Sequence, residues 1–60
     1  MIYVLIEQDV EGSYIFMAHT SKEAIMEKFY PERSVQMWSN GELIRTINSS
    51  DRFNNSLWLL

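Results

Sequence analysis

From Ile2 to Ile6 the chain is an unbroken run of β-branched, aromatic and aliphatic residues, which favours a strand over residues 1–8. Asp9-Val10-Glu11-Gly12 is mostly polar and ends on a glycine, so it reads as a hairpin loop. Residues 13–18, with Tyr14, Ile15, Phe16 and Met17, are then expected to return antiparallel to the first strand. Beyond them the spacing changes. Thr20-Ser21-Lys22-Glu23 fits a capping box with Thr20 as N-cap and Glu23 at the third helical position. Ala24, Ile25, Met26 and Phe29 follow at helical intervals, and Pro31 ends the run. The pattern predicts a helix over 21–29 that lays Ile25, Met26 and Phe29 on the sheet and turns Lys22, Glu23 and Glu27 to water. Two more apolar stretches, 34–38 and 42–47, flank Ser39-Asn40-Gly41. Asn-Gly between such runs signals a two-residue type I′ turn, because both central residues need positive φ. That turn sets Trp38 opposite Leu43, Met37 opposite Ile44, and Gln36 opposite Arg45.

The expected fold class is therefore α+β: a small antiparallel sheet with one helix packed on one face, in the order β-β-α-β-β. It forms a single domain over 1–47. A polar linker and an apolar C-terminal tail, with Phe53, Leu57, Trp58, Leu59 and Leu60, occupy 48–60.

Alternation along the strands places Ile2, Val4 and Ile6 on one face, and Tyr3, Leu5 and Glu7 on the other. In the second strand Tyr14 and Phe16 share one side, Ile15 and Met17 the other. In the last hairpin Val35, Met37 and Ile44 share a face, while Trp38, Leu43 and Ile47 share the opposite one with Gln36 and Arg45. Both faces of the sheet thus carry large apolar side chains, and one short helix covers only one of them. Either the tail folds back over the second face, or a partner or second copy does; exposed contiguous apolar patches mark interfaces.

Composition narrows the choices. Sixty residues hold one core and no second domain. A core of this size supplies roughly 3–5 kcal/mol without a further staple. The chain has no cysteine and one histidine, so neither a disulfide nor a thiolate or histidine zinc site is expected, and no cofactor. Self-association or docking on a partner is the staple that is left. Eight acids against five bases give a formal net charge of −3. This balance opposes general nucleic-acid binding and suits solubility or a basic protein partner. No apolar run reaches the ~18–20 residues of a membrane span. The N-terminus has no basic stretch ahead of its apolar residues, so a complete cytoplasmic protein without a signal peptide is expected. Two Asn-Xaa-Ser sequences, at Asn48 and Asn54, match the glycosylation pattern and carry no meaning without secretion.

Candidate sites are few. Glu7, Asp9 and Glu11 gather at the first hairpin, where acid–base chemistry would need a pocket that 60 residues scarcely provide; a solvated turn, or a contact for a basic partner, fits better. His19 lies at a strand–helix junction with no evident nucleophile or second ligand, and a structural role is expected. Trp38 and Arg45, placed on one face, form a candidate anchor pair, since tryptophan, tyrosine and arginine dominate binding hot spots. Leu43, Tyr3 and Tyr30 complete the candidate partner-binding set; packing beneath the tail is the other reading of Trp38. No catalytic constellation is recognisable, and no enzyme activity is expected.

The segment from Tyr3 through Trp38, with its strand–turn–strand, Thr-Ser-Lys-Glu-Ala helix start and following strand, resembles in outline several small phage-encoded proteins. Among these are the podophage inhibitors of bacterial RNA polymerase and of uracil-DNA glycosylase. The likeness is one of architecture over about two-thirds of the chain, without a diagnostic motif, and it assigns no residue a role. What it implies is a small protein that inhibits or modulates a larger host protein by occupying it. The alternatives are an acidic DNA mimic acting through Glu7, Asp9, Glu11 and the helix acids, and a structural homo-oligomer such as a homodimer.

Overall fold

The computed structural model describes residues 1–59; Leu60, the last residue of the apolar tail, lies outside the described residues. Four antiparallel strands, β1 (Ile2–Asp9), β2 (Gly12–His19), β3 (Arg33–Ser39) and β4 (Glu42–Asn48), form one sheet in the spatial order β2-β1-β3-β4. An α-helix, α1 (Lys22–Met26), connects the two hairpins. Two short 3-10 turns, Ser49–Asp51 and Asn55–Trp58, follow β4.

The turns follow the local chemistry. Asn40 and Gly41 have φ of 52° and 77°, as a type I′ turn requires. In the first hairpin Val10 and Glu11 keep negative φ, and Gly12 at φ 131° takes the left-handed backbone instead. Between α1 and β3, Arg33 N–H donates to Tyr30 C=O at 3.2 Å across Pro31-Glu32. Glu32 holds φ 73° there, in the position of a type II turn that glycine or asparagine usually fills.

The helix starts one residue later than its capping pattern suggests. Ser21, not Thr20, is the N-cap, its Oγ accepting from Ala24 N–H at 3.3 Å, and it also donates to Glu23 at 3.3 Å. His19 Nδ1 accepts Ser21 N–H at 2.8 Å and fixes the chain just before this cap. The regular helix stops at Met26. From there the bonds tighten to three-residue spacing, Lys28 N–H to Ile25 C=O and Phe29 N–H to Met26 C=O, so Phe29 still reaches the sheet.

Seven apolar side chains make the core: Leu5, Ile25, Phe29, Val35, Met37, Ile47 and Trp58. Tyr3, Met17, Met26 and Leu57 pack against them. This settles where the tail goes. Trp58 lies beside the helix on the face that the helix already covers, 6.1 Å from Phe29 and 5.7 Å from Tyr3 between ring centroids. Its indole N–H donates to Arg52 C=O at 2.8 Å. Lys22, expected in water, instead sets its ammonium 5.2 Å from the Trp58 ring. Of the two readings of the second face, coverage by the tail is overturned: Leu57 and Trp58 pack on the first face.

Candidate interaction surface

Two β-bulges decide which side chains share a face. In the first hairpin Leu5 pairs with Met17 and Ile6 with Ile15, so β2 spends Phe16 as an extra residue. Ile15 and Met17 therefore lie on opposite faces, not together: Met17 joins the core and Ile15 is 66% exposed. In the second hairpin Trp38 pairs with Leu43 as expected, but Met37 pairs with Arg45, and Ile44 is the extra residue. Gln36 accordingly opposes Thr46 rather than Arg45. From the bulge onward β4 is turned over relative to strict alternation, which puts Ile47 opposite Val35 in the core.

The face away from the helix can be followed in rows across the strands. At one end Ile2, Trp38 and Leu43 stand side by side. The next row is Ala18, Val4, Gln36 and Thr46; the third is Ile15, Ile6, Ser34 and Asn48. Gln8 and Ser13 end the face near the first turn. The apolar members run as a diagonal stripe from Ile15 and Ile6 through Val4 to Ile2, Trp38 and Leu43, with a polar corner on β3 and β4. None of these side chains is charged. The Trp38 indole N–H donates to Gln36 Oε1 at 3.0 Å, tying together two side chains of the same face. At the Trp38 end, Met1, Ile2, Val4, Trp38 and the Ser39-Asn40-Gly41 turn surround a depression of about 340 Å³.

The residues singled out in the sequence divide between the two faces. Trp38 and Leu43 are neighbours on the open one. Arg45 is on the other, so the Trp38–Arg45 anchor pair does not form; the Arg45 guanidinium donates to the carbonyls of Leu57 at 3.0 Å and Ser56 at 3.4 Å and ties down the tail. Tyr3 is spent on Trp58. Glu7 forms an ion pair with Arg33, whose guanidinium also donates to Lys28 C=O at 2.7 Å. The rings of Phe16 and Tyr30 flank that guanidinium at 4.1 and 4.9 Å, which gives Tyr30 a place at the rim beside the helix. Asp9 accepts Val10 N–H at 2.6 Å within its own turn, and Glu11 is exposed next to it. The three acids thus do not act as one cluster: one is neutralised, one caps a turn, one is solvated.

Sequence reading set Gln36 on the face of Trp38 but missed Ile2, Val4, Ile6 and Ile15 as members of that surface. The Ile2-Val4-Ile6 alternation was the available signal, but Tyr3 and Leu5 are just as apolar, so parity alone did not tell the open face from the core. Among the described residues no group of three or more histidines, cysteines and carboxylates is placed to hold a metal ion. Among the described residues no helix is long and apolar enough to cross a membrane. No protein-family model, curated protein or solved structure matches the chain.

Proposed function

We propose that this is a non-enzymatic protein-binding module whose recognition surface is the uncharged sheet face carrying Val4, Ile6, Ile15, Trp38 and Leu43. One observation carries the reading: helix and tail both pack on the same side, and the opposite side keeps a stripe of large apolar side chains in contact with water. Ile2 is 49% exposed, Leu43 46% and Ile15 66%. Single exposed hydrophobics need no explanation, but a contiguous stripe with polar flanks has the make-up of an interface. Acting by occupying another protein's surface, in the cytoplasm, is also the mode implied by the resemblance to small phage-encoded inhibitors. The complementary surface must itself be largely uncharged, since buried unpaired charge is costly.

The reading is tested by tethering the full chain and comparing what it retains with two variants. Ile6→Glu places a charge on the open face; Glu27→Lys alters exposed charge on the helix side. A specific protein ligand should be lost with Ile6→Glu and kept with Glu27→Lys. Retention by both variants, with circular dichroism showing both folded, would sink the proposal.

A further inference from the structure

We infer that the occupant of this face is a second copy of the same chain, the two sheets stacking as a β-sandwich about a two-fold axis. The inference rests on the reading of the face as a binding surface and names its partner. Three features converge on it.

The first is charge. The chain carries a net −3, yet the face is neutral, because register and parity send every acid and base of the strands to the helix side, the turns or the rim. Two copies therefore meet without like charges opposed, their negative charge remaining on the outer surfaces. A face without charge has nothing with which to select a charged partner, and a surface as neutral as itself is what it accepts without penalty.

The second is area. Four strands of seven or eight residues span a face of roughly 25 by 19 Å at the usual rise and strand spacing. Two such faces pressed together hide about 1,000–1,400 Å² of accessible surface, at the lower edge of specific, stable interfaces. Stacked sheets sit about 10 Å apart with interdigitated side chains, which suits the medium-sized Val4, Ile6 and Ile15.

The third is shape. A two-fold axis lying across the apolar stripe lays stripe on stripe in reverse and polar corner on polar corner. Isologous packing requires such self-complementarity. Reversal also brings the two ends of the stripe together. One end is a knob, Ile15, standing out of β2 beside the bulge; the other is a hole, the depression walled by Met1, Ile2, Trp38 and Asn40. Ile15 of each copy would fill the depression of the other.

Sedimentation equilibrium on the full chain from roughly 1 to 500 μM brackets the micromolar dissociation constant expected of so small an interface. The expected result is a monomer–dimer equilibrium, weakened at least about tenfold by Ile15→Glu and unchanged by Glu27→Lys. In parallel, the Trp38 indole N–H, assigned in ¹⁵N–¹H spectra by Trp38→Phe, should become shielded from a soluble paramagnetic agent as the dimer forms. A dimer that Ile15→Glu leaves intact overturns the inference. A monomer throughout with Trp38 open to the agent overturns it too, but leaves the face free for another protein, so the proposed function survives. A monomer with Trp38 shielded overturns both, since the chain would then be covering its own face.

Discussion

Leu5 and Ile6 are neighbours in the same strand and end up in different environments. Leu5 points to the side where Ile25, Phe29, Met37 and Trp58 enclose it completely. Ile6 points to the side where its cross-strand neighbours are Ile15 and Ser34, away from the core that the described residues of helix and tail complete. The helix-side face holds the whole core and also the strands' ion pair, Glu7 with Arg33. The open face holds a similar supply of large apolar residues and has no charge and no cover. Hydrophobicity along a strand therefore does not identify the inside of a small sheet; the placement of the remaining elements does. Here a five-residue helix is too short to cover even one face, and the tail completes that face rather than starting on the other.

Removing the tail's anchor is the severest way to break the contrast. Trp58→Ala should cost about 3–5 kcal/mol, as truncation of a buried tryptophan usually does. That is comparable to the entire stability expected of such a core. Thermal unfolding followed by circular dichroism should find the variant largely unfolded at room temperature; a folded variant with a nearly unchanged midpoint would show that the tail adds little to the helix-side face.

A paired substitution sharpens the comparison directly. Leu5→Ala should cost about 2–5 kcal/mol, whereas Ile15→Ala, measured in dilute solution, should stay within about 0.5 kcal/mol. Urea midpoints for the two variants, at protein concentrations low enough to keep any dimer dissociated, give the difference. Similar costs at both positions would mean that the open face is already buried in the single chain.

The smallest expected effect isolates the helix side from the interface. Glu32 occupies a left-handed backbone position and is exposed, so Glu32→Gly should relieve steric strain and stabilise the fold by about 0.5–1 kcal/mol. For a domain of this size that raises the melting temperature by roughly 2–8 °C. Self-association should not change. A lower melting temperature would mean that the Pro31-Glu32 turn tolerates its geometry through contacts that glycine loses.

Much of the fold was legible because its signals were local. Asn40-Gly41 announced its turn through positive φ, and Ile25 and Phe29 announced the buried side of the helix through their spacing. Leu43 was correctly set opposite Trp38 because only the turn lies between them. The helix start was misplaced by one residue because Thr20 and Ser21 are chemically equivalent caps, and the choice fell to Ser21 through the His19 contact. The faces beyond the turns were misread for a different reason. A bulge inserts one residue without any special residue type to mark it, and every side chain beyond it changes sides. Arg45 and Ile47 were sent to the wrong face in this way, and with Arg45 went the anchor pair with Trp38. The destination of Trp58 had no local signal at all, since tryptophan near a chain end fits either face equally well.

Both bulges lie in the outermost strands, with Phe16 in β2 and Ile44 in β4 as the surplus residues. A sheet edge ordinarily offers a row of free amide and carbonyl groups on which another chain can extend the ladder indefinitely, the route to fibres. An extra residue twists each edge and interrupts the repeat of those groups, so an incoming strand cannot stay in register along it. Growth sideways is blocked at both ends while stacking on the flat remains open. In a chain rich in exposed β-branched and aromatic side chains, the two bulges work against polymerisation through the sheet edges.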